Sequence, residues 1–165
     1  NSELKACICN NQMLNQYQKK ISGPILDRID LVVFVKAIEI KKITNEHLSK
    51  NETSVKIKSR VVKARNIQRK RFFKIKLTDK TNLTTNAQLN SKQVREFCQL
   101  SPKAEILLKK AAKKLMISTR SYFKIIKVAQ TIADLENGNL RNKRVNKSIN
   151  ESHIAEALQY RKTTL

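Results

Sequence analysis

Glycine and proline are scarce in this chain of 165 residues, which contains two of each and no tryptophan. Neither a G-x-x-x-x-G-K-[ST] nor a G-x-G-x-x-G loop can be built from Gly23 and Gly138, so a glycine-rich phosphate loop of the usual kind is excluded. Three cysteines cannot close a disulfide framework, which predicts a reducing, cytoplasmic compartment. No apolar run approaches the ~18 residues that a membrane span needs, and we expect no membrane partner.

Positive charge is what the chain has in excess: 35 Lys and Arg stand against 13 Asp and Glu, for a net charge of +22. Such an excess attracts polyanions in general and suggests nucleic acid as one candidate partner. Lysines on solvated faces also keep a protein soluble without any partner, so charge alone does not identify a nucleic-acid site. Two clusters, at 56–76 and 109–114, are denser than the rest. The candidate nucleic-acid contacts within them are Arg60, Arg65, Arg69, Lys109 and Lys113.

The first third of the chain mixes a helical and a strand pattern. Apolar residues at one-turn spacing predict a short helix over 11–21, and Ser22-Gly23-Pro24 ends it. The β-branched apolar run Leu31–Val35 predicts a strand buried on both faces of an α/β sheet. One strand cannot form a sheet, so its partners are expected outside this chain or in another subunit.

From residue 53 onward the pattern is helical. Ser101 with Pro102, and Ser118, have the side chains that typically begin helices. Gly138 is expected to end a helix as a left-handed C′ residue, and Ser148 with Glu151 fits a capping box. The predicted elements are a helix from Thr53 or Ser54 to Phe73, a polar loop over 74–91, a helix over Gln93–Leu100, helices opening after Ser101 and Ser118, a basic loop over 139–147 and a final helix.

Three segments, in order, resemble the magnesium-chelatase-like AAA+ ATPases, and within them a competence-associated group. The first is the run S-G-P-I-L-D-R-I-D-L at 22–31, close to the family's S-G-P-L-L-D-R-I-D-L. The second is R-V-V-K-A-R at 60–65 with Gln68 and Arg71. The third is L-M-I-S-T-R-S-Y at 115–122 followed by V-A-Q-T-I-A-D-L at 128–135, and the closing helix of the chain also follows the family.

The resemblance implies a mainly α fold: a C-terminal helical lid bundle, preceded by the last strand and arginine-finger segment of a truncated α/β core. Residues 1–40 would then end the nucleotide-binding core, 41–92 would form a linker helix and polar loop, and 93–165 would form the lid. The Walker A and B segments of such proteins lie upstream. The full protein is therefore expected to hydrolyse ATP with Mg²⁺, and this chain alone is expected to be inactive.

The resemblance also assigns roles to two arginines. Arg28 matches the arginine finger that acts in trans on the neighbouring subunit's nucleotide, with Asp27 and Asp30 in support, and Arg120 matches the sensor-2 arginine, in cis or in trans. Guanidinium suits this chemistry because it is always charged and its planar fork fits phosphate oxygens. The residues alone also allow a local ion pair of Arg28 with Asp27 or Asp30, and a solvent-exposed Arg120.

Other residues carry weaker signals. Gln130 replaces a family arginine, which would remove an ion pair with Asp134 four residues on. Cys7 and Cys9 match half of a four-cysteine zinc pattern, and two thiolates do not make a structural zinc site. Cys98 is expected in the core. His47 and His153 lack ligand or nucleophile partners at useful spacing.

By resemblance, the full protein is expected to form a homo-oligomeric ring, a hexamer, that uses ATP to remodel a substrate. DNA is the expected partner, in competence-type branch migration. A chelatase subunit acting on a porphyrin fits the S-G-P-x-L-D-R-I-D form less well. The alternative from another class is a non-enzymatic basic helical module that binds nucleic acid or a protein through the two basic clusters.

Overall fold

The computed structural model describes residues 8–20, 23–35, 52–76, 83–139 and 148–161. Within these ranges the chain is helical and contains no strand, which confirms the mainly α prediction. None of the helices described is long and apolar enough to cross a membrane. The helices are α1 (Asn11–Lys19), α2 (Gly23–Leu26), α3 (Ser54–Lys76), a 3-10 turn (Asn86–Gln88), α4 (Ser91–Phe97), α5 (Pro102–Lys114), α6 (Thr119–Asn139) and α7 (Glu151–Gln159).

Helix α6 is the centre of the bundle. It packs against α3, α7, α4 and the 3-10 turn, while α5 packs on α7. A single parallel bridge, Leu100 to Ile149, joins the segments before α5 and α7. The core lies around α6 because its buried side chains recur at helical spacing and meet apolar residues of the surrounding helices. Its members include Phe72, Val94, Leu108, Ile125, Ile126, Ala129 and Ile154.

Side chains cap the starts of α5, α6 and α7. The Ser101 hydroxyl accepts from the Ala104 N–H at 3.2 Å, and the Ser118 hydroxyl accepts from the Ser121 N–H at 3.2 Å, so both predicted starts are confirmed. The predicted Ser148–Glu151 capping box is wrong. The N-cap of α7 is Asn150, whose side chain accepts from the His153 N–H at 3.0 Å while His153 Nδ1 accepts from the Asn150 N–H at 3.1 Å.

Gly138 does not end a helix in a left-handed conformation. It lies inside α6, which continues to Asn139, and it has no positive φ. A Cβ at this position would lie 3.1 Å from the Lys63 Cβ and 3.3 Å from the Ala64 backbone nitrogen. Glycine therefore stands here because α6 and α3 approach closely.

The predicted strand at Leu31–Val35 is not formed. A strand exists only through bonds to a neighbouring strand, and the structure provides none within its described ranges. The Val32 N–H instead donates to the Tyr160 carbonyl at 2.7 Å, at the end of α7. Val33, Phe34 and Val35 are exposed.

Other predicted element boundaries differ from the observed ones by a few residues. Helix α3 runs three residues past Phe73 and the predicted Gln93–Leu100 helix is Ser91–Phe97. The predicted loop at 74–91 holds the end of α3, the 3-10 turn and the start of α4, with 77–82 outside the described residues. Most of the predicted basic loop, 140–147, also lies outside them.

A buried polar cluster ties α3 to α6. The Asp134 carboxylate, fully buried, accepts two bonds from the Arg71 guanidinium, one from Asn86 Nδ2 at 2.9 Å and one from Gln130 Nε2 at 3.2 Å. The ion pair of Asp134 is therefore made from α3 rather than from position 130. Gln130 is also buried, and its Oε1 has no partner among the described residues.

Candidate functional site

Arg28 lies in the turn that follows α2. Its N–H donates to the Ile25 carbonyl at 2.9 Å, which closes the turn. Its side chain is exposed and, within the described ranges, forms no ion pair. The two neighbouring carboxylates bind other groups, so the local ion pair that the residues alone allowed is not formed.

Asp27 is bound by the first turn of α6. Its carboxylate accepts from the Ser121 hydroxyl at 2.6 Å and from the Ser118 hydroxyl at 3.0 Å. Hydrogen bonds from Ser121 and then from Ser118 hold the pKa of Asp27 below its ordinary value of 3.8. Lys124, one turn further along α6, donates to the Asp27 carbonyl at 2.7 Å and pairs with the Asp30 carboxylate at 3.1 Å.

These contacts bring Arg28 and Arg120 to one cavity. The cavity has a volume of about 700 Å³ and lies between the 28–31 segment, the start of α4, the outer face of α6 and the end of α7. Its cationic lining includes Arg28, Arg120, Lys124 and Lys127. Its apolar lining includes Leu31, Leu89, Phe123, Val128, Ile132 and Leu135.

The cavity carries more positive than negative charge. Among the described residues, four cationic side chains line it against two carboxylates, Asp30 and Glu156, and Asp30 is already paired with Lys124. Lys127 donates to the Ala87 carbonyl at 3.0 Å, and burial lowers the pKa of its ammonium group. An anion with several oxygens suits such a site, because exposed guanidinium groups can each donate two parallel hydrogen bonds to it.

The basic clusters lie on two different helices. Helix α3 carries ten Lys and Arg and no acidic residue. Its Arg65 and Arg69 are exposed, whereas Arg60 pairs with Glu52 at 2.7 Å. On α5, Lys109 pairs with Glu105 at 2.7 Å and Lys113 is exposed in the last turn. Helix α3 packs on α6 and α5 packs on α7, so the helices that carry the two clusters have different packing partners.

Cysteine and histidine form no metal site in the part of the chain that the structure describes. Cys7 lies outside that part and Cys9 is exposed. Cys98 is buried, as expected, and burial raises the pKa of its thiol to about 11. His153 is a buried structural residue whose Nε2 lies 2.5 Å from Glu136 Oε2, and His47 lies outside the described residues.

Several site residues were missed by the sequence reasoning. Lys124 and Lys127 follow Arg120 by four and seven residues, so they share its helix face, and this spacing was a usable signal. Ser121 and Ala87, in the 3-10 turn, had no such signal. The first contacts Asp27 and the second contacts Lys127, both in distant segments of the chain.

Comparison with known proteins places the chain in a family. The family model "Magnesium chelatase, subunit ChlI C-terminal" matches residues 51–161, and "Magnesium chelatase, subunit ChlI" matches residues 1–43. The chain is 37% identical over 150 residues to the competence protein ComM of Haemophilus influenzae, covering 91% of the chain and 26% of that relative. It is 31% identical over 153 residues to the uncharacterized protein YifB of Escherichia coli, covering 93% of the chain and 26% of that relative.

The chain spans about a quarter of the length of the curated relatives it matches. Its longer match is to the C-terminal model, over the region that holds α3 to α7. The shorter match covers the segment with Arg28. The chain therefore belongs to the magnesium-chelatase family of AAA+ proteins and corresponds to its C-terminal portion.

Proposed function

We propose that this chain supplies an arginine finger and a sensor arginine to an AAA+ ring that hydrolyses ATP. Arg28 acts in trans on the nucleotide of the adjoining subunit, and Arg120 contacts the phosphates of the same nucleotide. The observation that carries the proposal is that both guanidinium groups are exposed and line one cavity, with Asp27 and Asp30 bound to other partners.

The chemistry asked of the two arginines is charge stabilisation. As the γ-phosphate is transferred to water, negative charge spreads over its oxygens, and fixed cations stabilise that charge. Arg28 is suited to this role because no carboxylate of the described residues neutralises it. The positive charge of the cavity suits the negative charge of the triphosphate of ATP. Under the proposal, the residues that bind Mg²⁺ and the rest of the nucleotide lie outside this chain.

The experiment is ATP hydrolysis by the full-length gene product with Arg28→Ala, Arg28→Lys and Arg120→Ala. We expect R28A to lower kcat by about 10³-fold, the effect of losing an arginine finger. Lysine restores little, because it cannot make two parallel bonds to phosphate. Lys103→Ala, which removes an exposed cation of α5 that does not line the cavity, is the control and should hydrolyse ATP normally. Normal hydrolysis by R28A would overturn the proposal.

We further propose that the substrate moved by this ring is DNA, and that α3 contacts its phosphates. Helix α3 carries ten basic residues and no acidic one, and its Arg65 and Arg69 point to solvent. The α5 cluster is weaker, because Glu105 pairs with Lys109. Proteins that neutralise phosphates release counterions, so their affinity falls steeply with salt.

The test measures binding of this chain to a labelled DNA duplex over a range of salt concentrations. Arg65→Gln with Arg69→Gln should weaken binding and reduce the slope of log K against log [salt] by about 2, one unit for each lost phosphate contact. Lys109→Gln with Lys113→Gln is the matched control, since it removes the same charge from α5. Equal effects of the two pairs would show a generic attraction and overturn the assignment to α3.

The same two experiments separate this proposal from the non-enzymatic alternative. A basic helical module that only binds nucleic acid would still show salt-dependent binding through α3. In that case the substitution of Arg28 would leave the rate of ATP hydrolysis unchanged. A ring ATPase requires the loss of hydrolysis in R28A whatever the DNA result.

A further inference from the structure

We infer that Ser118, Ser121 and Lys124 are positioning residues that lock the Asp27–Asp30 turn onto α6, so that Arg28 and Arg120 face the same phosphate. This inference rests on the proposed function, because it explains how the two arginines reach one cavity. None of the three touches the reacting phosphate in this role. They act on Arg28 through its neighbours, Asp27 and Asp30.

The contact, which we call the latch, is built from one face of α6. Ser118, Ser121 and Lys124 are spaced three residues apart, so their side chains follow each other along the helix. The two hydroxyls bind the Asp27 carboxylate at 3.0 and 2.6 Å. The Lys124 ammonium bridges the Asp27 carbonyl and the Asp30 carboxylate, at 2.7 and 3.1 Å, and so spans the turn from its first to its last residue.

The electrostatics of α6 strengthen this contact. Asp27 lies at the N-terminal end of the helix, where the positive end of the helix dipole favours a carboxylate. Ser118 has a second bond, because its hydroxyl also accepts the Ser121 N–H as the N-cap of α6. Ser121 is buried and the Lys124 side chain is largely covered, whereas Ser118 is exposed and the Asp30 side chain is 57% exposed. Water therefore competes least for the bonds of Ser121 and Lys124 to Asp27.

Arg28 lies in this turn, so the latch fixes the position of the Arg28 backbone relative to α6. The segment after the turn is attached a second time, through the Val32 N–H to the Tyr160 carbonyl at 2.7 Å. Arg28 is thus held between an attachment to α6 and an attachment to the end of α7. Arg120 lies next to Ser121 on α6, so the helix that carries one arginine also holds the other.

The first part of the test measures the latch itself in this chain, by hydrogen exchange of the Arg28 and Val32 amides. Both amides have acceptors in the structure, the Ile25 and Tyr160 carbonyls. Ser121→Ala and Asp27→Asn should each speed their exchange by about tenfold or more, since both remove a hydrogen bond to a charged group. Ser59→Ala, at an exposed serine of α3, is the matched control and should leave them unchanged.

The second part measures ATP hydrolysis by the full-length gene product with the same variants. A misplaced finger lowers kcat and leaves KM unchanged, because it acts in the transition state and not in substrate binding. The double variant Ser121→Ala, Asp27→Asn should lose no more than Asp27→Asn alone, since the Ser121 bond is one of the two that the Asp27 carboxylate accepts. Unchanged amide exchange in both single variants overturns the latch whatever happens to hydrolysis.

Two further outcomes separate this inference from the proposed function. If exchange increases and kcat stays normal while R28A abolishes hydrolysis, the latch does not position the finger, and the proposed function stands. If R28A itself hydrolyses ATP normally, the proposed function fails and this inference fails with it.

Discussion

Met116 holds a backbone conformation that side chains rarely adopt. Its φ is 46°, in the left-handed region, and it is the residue after the C-cap of α5. The Ile117 N–H donates to the Ala112 carbonyl at 3.0 Å and the Met116 N–H to the Lys113 carbonyl at 3.4 Å. This is the pattern of a Schellman ending, in which glycine usually occupies the left-handed position.

We expect Met116→Gly to raise the free energy of unfolding by about 1 kcal/mol, because glycine has no Cβ to strain in the left-handed region. The Met116 side chain is 88% exposed, so its loss removes little packing. Urea unfolding should show a higher midpoint with an unchanged slope. Met116→Ala keeps a Cβ and is the control. A midpoint for the glycine variant no higher than that of the alanine variant would contradict the strain argument.

The pKa of Asp27 makes the latch dependent on pH. Its value in the folded chain lies below the ordinary 3.8, because the hydroxyls of Ser121 and Ser118 bond the ionised form. A lowered folded pKa means that the contact contributes stability above the ordinary value and loses it as the pH falls through the lowered one. In Ser121→Ala the pKa of Asp27 should rise towards 3.8, as carbon-13 titration of its carboxyl group measures. If the titration midpoint of Asp27 is the same in Ser121→Ala as in the unsubstituted chain, the hydrogen bond from Ser121 does not lower the pKa of Asp27.

Local chemistry explains which residues were predictable. Ser101 with Pro102 was recognised because capping needs only the residues of one turn. Asn150 was missed in favour of Ser148, since both residue types cap helices and the choice depends on where α7 begins in the bundle. Gly138 was misassigned for a similar reason: its close neighbour is Lys63 of α3, which no local pattern reveals.

At the scale of elements, α3 and α6 are joined by the buried pair of Arg71 and Asp134. The Arg71 side chain is 20% exposed and that of Asp134 is 0% exposed. Asn86, from the 3-10 turn, donates both to Asp134 and to the Thr131 hydroxyl at 3.0 Å. Three elements therefore share one carboxylate, and the loss of that carboxylate leaves a largely buried guanidinium without its charge partner.

Asp134→Asn should lower the free energy of unfolding by about 3 kcal/mol, since removing one partner of a buried ion pair leaves the other charge uncompensated. Glu105→Gln breaks the exposed pair with Lys109 in α5 and should change stability by less than about 0.5 kcal/mol. Denaturant unfolding of the two variants measures both values. A loss in D134N as small as that in E105Q would show that Arg71 finds water or another acceptor at no cost.

The elements that sequence reasoning placed well are those whose stability is local. Helix α5 and the start of α6 have their own caps and apolar faces. The run Leu31–Val35 has a strand composition, and among the described residues it has no neighbouring strand and its one backbone bond to another element is to Tyr160. Asn86 lay in a segment read as a polar loop, and its burial depends on Asp134, which is 48 positions away.

At the scale of the whole molecule, the site depends on contacts across long stretches of chain. Asp27 and Ser121 are 94 positions apart, and their bond sets the position of Arg28 beside Arg120. The motif resemblance named both arginines, whereas composition and periodicity alone gave no reason to pair them. The cationic cavity follows from the packed bundle, since α6 provides three of the four cations that line it among the described residues.

The proposed action in trans makes a prediction about mixed rings. In the full-length gene product, Arg28→Ala would keep an intact nucleotide site and lack the arginine finger. A variant at the lysine of the upstream Walker A segment, here called the P-loop variant, would lack a working nucleotide site and keep the finger. Each alone should be inactive. Mixed in equal amounts, about a quarter of the sites would join an intact nucleotide site to a neighbour's Arg28, so hydrolysis should recover to about a quarter of the wild-type rate.

This recovery is diagnostic because the two defects lie in different subunits only if the finger acts across the boundary. If Arg28 served the nucleotide of its own subunit, every site in the mixed ring would keep one of the two defects and hydrolysis would stay at background. The control mixes the P-loop variant with a double variant that carries both substitutions, which supplies no intact site and should recover nothing. Because Arg120 lines the same cavity as Arg28, Arg120→Ala should complement the P-loop variant as Arg28→Ala does, and failure of that mixture alone would assign Arg120 to the nucleotide of its own subunit.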